Sequence, residues 1–225
     1  MLYIISTPIG NLKDITLRAL ETLREMDFIV CEDTRVTSHL LSHYEIKREL
    51  VSFNAATEGK KIDYVIKRIE QGEKCGLVSD AGTPTISDPG VRLVSAAIRK
   101  GLKVIAIPGV SAVTAAMSIA GLPTDSFVFE GFPPLKKGRQ TFFKNLSEEK
   151  RTVVLYESTY RIEKLLNELA EYMPHRYIVI CRELTKMFEE TIRGYPSEII
   201  SRLGKLILKG EFVIVIAPSD WKVIG

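Results

Sequence analysis

Residues 77–90 read LVSDAGTPTISDPG, a short apolar run that ends in a dense series of turn residues. Glycine and proline at this density allow the backbone, rather than side chains, to approach a neighbouring group closely. The apolar run is typical of a buried strand. An amphipathic helix is predicted to follow, with Asp88 as its N-cap and Pro89 at its first position. The segment therefore predicts a strand, a loop that contacts a ligand, and a helix.

The succession of strand and helix is repeated through the first half of the chain. Short runs rich in Val, Ile, Phe and Tyr occupy residues 2–5, 28–31, 50–53, 76–78 and 104–107. Between them, apolar residues recur with helical spacing in two stripes, Ile62, Val65, Ile66, Ile69 and Val91, Val94, Ile98. This alternation predicts a mainly parallel sheet covered by helices on both faces.

The second half has longer and more widely separated apolar runs. They lie at residues 127–129, 153–156, 177–181 and 212–217, and a further helical stripe is formed by Ile162, Leu165, Leu166 and Leu169. Residues 212–217 are apolar throughout, which is typical of a central buried strand. We therefore predict an α/β protein with two α/β domains, residues 1–115 and residues 116–225.

The composition is that of an ordinary globular protein. The chain has 225 residues, of which 45% are hydrophobic and 26% charged, and its net charge of +3 permits an anionic partner without indicating a strongly basic nucleic-acid binder. Residues 1–5 have no basic lead and are followed by a polar residue, which argues against a signal peptide. No apolar run approaches the roughly 20 residues that span a bilayer. We expect a cytoplasmic protein that does not contact a membrane.

The cysteines and histidines do not indicate a metal site. Cys31, Cys75 and Cys181 lie far apart and form no Cys-x-x-Cys motif, so buried, reduced thiols are expected. His39 and His43 could share a helix face, but no third ligand accompanies them. We expect no metal cofactor.

Polar and glycine-rich clusters follow six of the predicted strands. They read STPIGN at 6–11, EDTR at 32–35, SDAGTP at 79–84, PGVSA at 108–112, EST at 157–159 and RELTK at 182–186. Because ligands of open α/β sheets gather beyond the carboxyl ends of the strands, the six clusters together predict a binding site. Taken singly, residues 8–11 could be only a tight connection. Residues 32–35 could only cap a helix, with Arg35 paired to a carboxylate.

The chemistry of these clusters restricts the ligand. The sequence lacks the Gly-x-x-x-x-Gly-Lys-Ser/Thr and Gly-x-Gly-x-x-Gly motifs, and it also lacks His-Glu-x-x-His and Gly-x-Ser-x-Gly. Few basic residues lie among the turns, whereas Asp33, Asp80 and Glu183 supply carboxylates. Ser111 begins a helix of small residues whose N-terminus favours a carboxylate ligand. S-adenosylmethionine, with hydroxyls, an aromatic base, a cationic centre and a carboxylate, is consistent with this set.

The same motifs resemble a known family. TPIGNL at 7–12, EDTR at 32–35, SDAGTP at 79–84, PG at 108–109, YES at 156–158 and RELTK at 182–186 occur in order along the whole chain. Together they resemble the tetrapyrrole-methylase superfamily of S-adenosylmethionine-dependent methyltransferases, also called class III methyltransferases. Within it they are similar to the bacterial enzymes that methylate the ribose 2′-hydroxyl of a cytidine in the decoding centre of 16S rRNA.

The resemblance implies two α/β domains with the cofactor in the cleft between them, usually in a homodimer, and 16S rRNA in the small ribosomal subunit as the partner. It places eleven residues at the S-adenosylmethionine pocket, namely Pro8, Ile9, Asp80, Ala81, Gly82, Thr83, Pro108, Gly109, Ser111, Ala112 and Tyr156. The chain departs from the family in two respects. Residues 52–56 read SFNAA where relatives often have His-x-His-Asn-Glu, and many relatives extend further at the C-terminus.

Three carboxylates at strand ends are candidates for the base that removes the proton of the acceptor hydroxyl. They are Asp33, Glu157 and Glu183, with Lys186 as an electrostatic partner. Each of these carboxylates could instead hold a neighbouring arginine, Arg35 or Arg182, in a structural ion pair. The sequence does not rank them.

RNA contact is predicted at Arg35, Lys136, Lys137, Arg139 and Lys186. Residues 136–139 read KKGR, which is typical of a basic loop for phosphates, in a segment that also contains Phe142 and Phe143. The alternative is a solvated helix with the two phenylalanines in the core. Two other functions remain open from sequence, a precorrin-type tetrapyrrole C-methyltransferase and a non-catalytic RNA-binding module.

Overall fold

The computed structural model describes residues 1–54, 57–202 and 209–222. It divides into two compact units, Met1–Ser111 and Ala112–Gly225. Each unit contains one five-stranded sheet with helices packed against it. This architecture confirms the prediction of an α/β protein built on two sheets.

The first unit contains a parallel sheet. Its strands are β1 (Leu2–Ile5), β2 (Phe28–Cys31), β3 (Glu49–Ser52), β4 (Cys75–Val78) and β5 (Val104–Ile107), in the spatial order β3-β2-β4-β1-β5. All four strand pairings are parallel, as the alternation of strand and helix predicts. The carboxyl ends of these strands consequently share one edge of the sheet.

Both faces of this sheet are covered. Along β2, Phe28 and Val30 belong to one apolar core, and Ile29 and Cys31 belong to another. Successive side chains of a strand point to opposite faces, so the continuous apolar run of a parallel strand supplies two cores at once.

Four helices cover the two faces of the first unit: α1 (Leu17–Glu25), α2 (Thr34–His43), α3 (Glu58–Glu70) and α4 (Val91–Arg99). The Thr16 and Asp33 side chains cap α1 and α2 by accepting hydrogen bonds from backbone N–H groups in the first turn. The stripe predicted for α3 is confirmed, because Val65, Ile66 and Ile69 are buried.

The predicted start of α4 is wrong, and of its predicted apolar face only Val94 packs against the core. The helix begins at Val91, and its N-cap is Gly90, with a φ of +123°, rather than Asp88. Val91 and Ile98 are exposed, whereas the buried face is formed by Leu93, Ala96 and Ala97. Two of these three residues are alanines, so the buried face does not stand out in the spacing of the large apolar residues.

The second unit contains a mixed sheet. Its strands are β6 (Phe127–Gly131), β7 (Thr152–Ser158), β8 (Ile178–Arg182), β9 (Glu190–Gly194) and β10 (Glu211–Ile216), in the order β6-β7-β10-β8-β9. Only β6 and β7 are parallel, and the other neighbours are antiparallel. The helices are α5 (Ala112–Ala120), α6 (Arg139–Glu148), α7 (Ile162–Tyr172) and α8 (Pro196–Ile200). The domain division predicted from sequence, after residue 115, falls within α5, a helix that packs against β10.

The core of the second unit follows the apolar pattern. β10 lies between β7 and β8, and five of its six residues are buried, so the predicted central strand is confirmed. The stripe of α7 is also buried. The sequence did not predict β9, because this edge strand reads Glu-Thr-Ile-Arg-Gly and has no apolar run.

The three cysteines are buried and unbridged, as expected. Among the residues that the structure describes, no helix is both long and apolar enough to cross a membrane. Residues 55 and 56, where the chain departs from the His-x-His-Asn-Glu pattern, lie outside the described residues.

Candidate functional site

Four loops lie at the carboxyl edge of the first sheet. They comprise residues 6–11, 32–33, 79–90 and 108–111, and we call them the first loop edge. Because β1 lies between β4 and β5, the loops that follow these three strands are neighbours. The first loop edge thus brings together four of the six clusters identified in the sequence.

Hydrogen bonds join three of these loops. The backbones of Thr7 and Gly82 pair in both directions, with N–O distances of 2.9 and 3.0 Å. The Thr83 hydroxyl donates to the Val110 carbonyl over 3.1 Å, and its oxygen accepts from the Ser6 hydroxyl at 3.1 Å, since one hydroxyl has one proton to donate. Gly82 and Thr83 therefore hold the loops after β1, β4 and β5 together.

Glycine permits the close approach of these loops. A Cβ at Gly109 would lie 2.9 Å from the Ser6 Cβ, so one of the two loops would have to move. Gly82 has a φ of +81°, and a Cβ there would lie 3.3 Å from the Ile9 side chain. The density of glycine and proline in the sequence thus reflects backbone segments packed directly on one another.

Two further residues of the long loop have strained backbones. Thr85 and Ser87 have φ angles of +74° and +66°, values that a β-branched residue in particular rarely adopts. Each such residue costs about 1–3 kcal/mol, and strain of this kind persists where the surrounding structure holds it and clusters at functional sites.

The predicted cofactor residues differ in exposure. Ala81, Pro108 and Gly109 are exposed, Asp80, Thr83, Ser111 and Ala112 are partly buried, and Pro8, Ile9 and Gly82 are buried. Tyr156, in the second unit, is partly buried and meets the rings of Phe129 and Phe132 edge-on. The exposed members present backbone rather than large side chains.

Carboxylates dominate the charge of the first loop edge. Asp80 accepts a hydrogen bond from the Asp33 backbone N–H at 3.0 Å. Burial, followed by repulsion from Asp80, Asp88 and Asp33, raises the pKa of Glu32. Burial also raises the pKa of Asp88, although the Ser79 hydroxyl partly opposes the shift. The sequence did not identify Glu32 or Asp88 as catalytic or binding residues, because the shifts of their pKa values depend on neighbours from different loops.

Asp33 and Arg35 form an ion pair at 2.5 Å. The hydrogen bonds from Arg35 lower the pKa of Asp33 to about 2, so this carboxylate is a weak base. Asp33 also caps α2. The interpretation of residues 32–35 as a helix cap with a paired arginine is therefore confirmed, and Arg35 itself is largely exposed.

Loops also gather at one edge of the second sheet, where β6, β7 and β8 end and β9 and β10 begin. They comprise residues 132–138, 159–161, 183–189 and 209–210, and we call them the second loop edge. They are joined in sequence across the sheet by hydrogen bonds from Arg161 to the Pro133 carbonyl, from the Thr159 hydroxyl to the Gly210 carbonyl, and from the Glu183 N–H to the Glu211 carbonyl.

Glu157 lies beneath this edge. Its side chain is fully buried, 2.8 Å from Arg161 and 4.0 Å from Arg139. Arg139 in turn pairs with Glu168 at 2.6 Å and donates to the Pro134 carbonyl. This buried network holds the loop after β6 from below.

The position of Arg139 differs from the sequence prediction. It was expected in a basic loop that contacts phosphates, but it is buried at the first residue of α6 and engaged by Glu168. Phe143 is fully buried and Phe142 packs against the same core, which confirms the alternative for the phenylalanine pair. Lys136 and Lys137 do lie in an exposed turn.

Glu183 and Lys186 lie together at the second loop edge. Lys186 contacts Glu183 at 2.9 Å and Glu211 at 2.8 Å. Burial by itself would raise the pKa of Glu183, but the hydrogen bonds from Lys186 and the Glu211 N–H hold it below its ordinary value. Glu183 has a φ of +52°, so the backbone is strained at this predicted site residue. Arg182 pairs with Glu190 rather than with Glu183.

Comparison with known proteins identifies the family of this chain. A family model described as tetrapyrrole (corrin/porphyrin) methylases matches residues 1–200. The chain belongs to the tetrapyrrole methylase family. It is a methyltransferase, and the resemblance based on the six motifs is confirmed.

Curated relatives within the tetrapyrrole methylase family are similar over nearly the whole chain. Ribosomal RNA small subunit methyltransferase I of Thermotoga maritima is 45% identical over 219 residues, which cover 97% of this chain and 99% of that protein. The protein of the same name from Halalkalibacterium halodurans is 43% identical, over 99% of this chain and 77% of its own length.

Solved structures of tetrapyrrole methylases share the fold. Diphthine synthase superposes with a TM-score of 0.73 at 17% identity, covering 96% of this chain and 89% of its own. Uroporphyrin-III C-methyltransferase from Thermus thermophilus, complexed with S-adenosylhomocysteine, gives a TM-score of 0.67 at 17% identity, with 96% of each chain covered. These structures are named for different acceptors, so the shared fold does not select the acceptor.

Proposed function

We propose that this methyltransferase transfers the methyl group of S-adenosylmethionine to the ribose 2′-hydroxyl of a cytidine in the decoding centre of 16S rRNA. The observation that carries the proposal is the identity of 43–45%, over nearly the whole chain, to proteins named ribosomal RNA small subunit methyltransferase I. The choice of cytidine and of the 2′-oxygen rests on the six motifs in their order along the chain.

The residues of the first loop edge fit the methyl donor. Its exposed backbone at Ala81 and Gly109 can approach a ligand without steric hindrance from large side chains. Its charge comes mainly from Glu32, Asp80 and Asp88, which suits a cationic sulfonium and ribose hydroxyls better than a polyphosphate. We propose Pro8, Ile9, Asp80–Thr83, Pro108 and Gly109 as donor-binding residues. The roles of Ser111, Ala112 and Tyr156 stay predictions.

The donor supplies an electrophilic methyl group with a neutral leaving group. The chain must then orient the 2′-oxygen in line with that methyl group and assist the departure of its proton. Orientation can contribute up to about 7–11 kcal/mol in ideal cases, and a positioned base roughly 10²–10⁴-fold in rate.

Of the three carboxylates predicted as the base, Glu183 fits best. Glu157 is fully buried between two arginines, and Arg35 donates to both carboxylate oxygens of Asp33. Glu183 is partly exposed, and Lys186 and the Glu211 N–H both donate to its Oε1 atom, which fixes its orientation. We assign Glu183 as the base and Lys186 as its electrostatic partner.

The proposal includes the setting of the reaction. 16S rRNA in the small ribosomal subunit is the partner, which places the protein in the cytoplasm. The resemblance further predicts a homodimer, which sedimentation of the purified protein would test.

The proposed function is tested by offering methyl-labelled S-adenosylmethionine with three acceptors in parallel: small ribosomal subunits that lack the modification, naked 16S rRNA and a tetrapyrrole precursor. We expect label in the RNA, recovered as 2′-O-methylcytidine after digestion to nucleosides. Label in the macrocycle alone would contradict the proposal and assign the chain to tetrapyrrole C-methylation. Donor binding without transfer to any acceptor would also contradict it.

A further inference from the structure

The second loop edge exposes large apolar side chains. Tyr160 is 96% exposed, Met187 90%, and Leu135 and Phe188 68% each. A cluster of exposed rings and aliphatic side chains is unfavourable in water unless a partner covers it, and such clusters mark interaction sites. Phe132, at the same edge, is half exposed and makes an edge-to-face contact with the ring of Tyr156.

These side chains lie on loops at the same edge of the second sheet. Tyr160 follows β7 and Phe188 precedes β9, and the loops between them are linked through the Thr159–Gly210 and Glu183–Glu211 hydrogen bonds. β10 and β8 lie between β7 and β9, so the strand ends next to Tyr160 and Phe188 are roughly 14 Å apart, three times the usual strand spacing. The two rings can therefore contact different bases of one strand.

The loop after β6 is fixed in position by Arg139, which is buried, and Arg161, which is partly buried. Arg161 donates to the Pro133 carbonyl and Arg139 to the Pro134 carbonyl, and both guanidinium groups are held by glutamates. This arrangement orders the loop that carries Leu135 before any partner binds, which reduces the entropy lost on binding.

Carboxylates lie beside Phe188, but the charges beside Leu135 favour a nucleic acid over a protein. Lys136 and Lys137 are exposed next to Leu135, and within the described parts of the chain neither forms an ion pair with a carboxylate. Lysine is depleted in the cores of protein interfaces, whereas phosphates attract it. Lys186 contributes less charge, because Glu183 and Glu211 already engage it.

We propose that Tyr160 and Phe188 stack on unpaired bases of the RNA substrate while Lys136 and Lys137 contact its phosphates. The inference rests on the proposed function and specifies how that substrate is held: as a single strand with splayed bases rather than as a duplex. Aromatic side chains that stack on unpaired bases, beside basic residues along the backbone, are the usual means of binding single-stranded RNA.

The test compares the dissociation constants of a fluorescently labelled single-stranded RNA and of a blunt duplex of the same sequence, measured by fluorescence anisotropy. Tyr160→Ala and Phe188→Ala should each weaken single-strand binding roughly tenfold, the size expected for loss of one base–ring stack. Tyr160→Phe, which keeps the ring, should bind as the wild type does. Ile98→Ala, on the exposed face of α4, is the matched control and should also bind normally.

The role of Lys136 and Lys137 in phosphate binding is tested separately. Lys136→Gln combined with Lys137→Gln should weaken binding of single strand and duplex alike and reduce the dependence of affinity on salt. Affinity for single-stranded RNA that is unchanged in both alanine variants would overturn the proposal. Loss of self-association in those variants, with RNA affinity retained, would overturn it too and assign the surface to a second copy of the chain.

The results distinguish a failure of the stacking proposal from a failure of the proposed function. If the wild type methylates RNA and the alanine variants bind and react normally, the stacking surface is wrong and the function stands. If the variants lose single-strand affinity but the wild type transfers no methyl group to RNA, the surface is supported and the function is wrong. Binding of S-adenosylhomocysteine, measured by calorimetry, should be equal in all variants.

Discussion

At the residue scale, Glu157 shows how a strand-end carboxylate can serve the fold. Its oxygens lie against Arg161 and Arg139, with no exposure to solvent. Removing one partner of a buried ion pair leaves the others uncompensated, and this typically costs about 3–5 kcal/mol. We therefore expect Glu157→Gln to lower the free energy of unfolding by about that amount, measured by urea denaturation. Asp33→Asn, which keeps an N-cap at an exposed pair, is the control and should change stability little.

At Glu183 we expect a substitution to reduce activity rather than stability. Glu183→Gln retains an oxygen that can accept from Lys186 and the Glu211 N–H but cannot take a proton from the substrate. We expect kcat for methyl transfer to fall roughly 10²–10⁴-fold, with the KM for RNA and the stability nearly unchanged. An unaltered kcat would exclude Glu183 as the base.

Gly210 lies directly against Glu183. A Cβ at Gly210 would come within 2.6 Å of the Glu183 side chain, and its φ is +111°. Gly210→Ala should displace Glu183 and so reduce methyl transfer. Gly72→Ala is matched in backbone, with a φ of +101°, but has no neighbour within 4 Å. It should lose only the roughly 1–2 kcal/mol that a left-handed residue costs and should keep its activity. Equal activity in the two variants would contradict the assigned role of Glu183.

At the element scale, the loop after β4 gives a pH prediction. Burial and the neighbouring Asp80 raise the pKa of Asp88 above its unfolded value. The charged form therefore destabilises the folded state above the folded pKa, and this penalty disappears as pH falls towards the unfolded pKa of about 3.9. Asp88→Asn should be more stable than the wild type at about pH 7.5, and the difference should vanish near about pH 3.5. A stability difference that grows in acid would contradict the assignment.

The sequence predicted an element correctly where large apolar residues form its buried face. β2 and residues 212–216 of β10 are apolar because they are buried, and the stripes of α3 and α7 face the core as predicted. For α4 the pattern was misleading, since Leu93, Ala96 and Ala97 form the buried face, whereas Val91 and Ile98 are exposed. β9 was not predicted because, as an edge strand, it buries little surface and has no apolar run.

The sequence predicted which loops meet at the site, but it did not predict which side chains contact each other there. The turn-rich segments indicated which loops meet, since parallel strands place their carboxyl ends together. The Ser6–Thr83–Val110 hydrogen bonds and the burial of Arg139 depend on which side chains face each other across loops distant in sequence. Local spacing carries no information on such contacts.

At the scale of the whole molecule, the family is shown by similarity along the full chain, whereas the acceptor is a proposal. The fold is shared with proteins named for porphyrin and diphthine chemistry, so architecture leaves the acceptor open. The exposed rings and lysines of the second loop edge favour RNA on independent physical grounds.

The most direct test is the chemical position of the transferred methyl group. Small ribosomal subunits lacking the modification would be incubated with the protein and methyl-labelled S-adenosylmethionine, and the rRNA would then be hydrolysed in alkali. A methylated 2′-oxygen cannot attack the adjacent phosphate, so we expect label in an alkali-resistant dinucleotide that begins with cytidine. Label released in mononucleotides would show methylation of a base and would exclude ribose methylation.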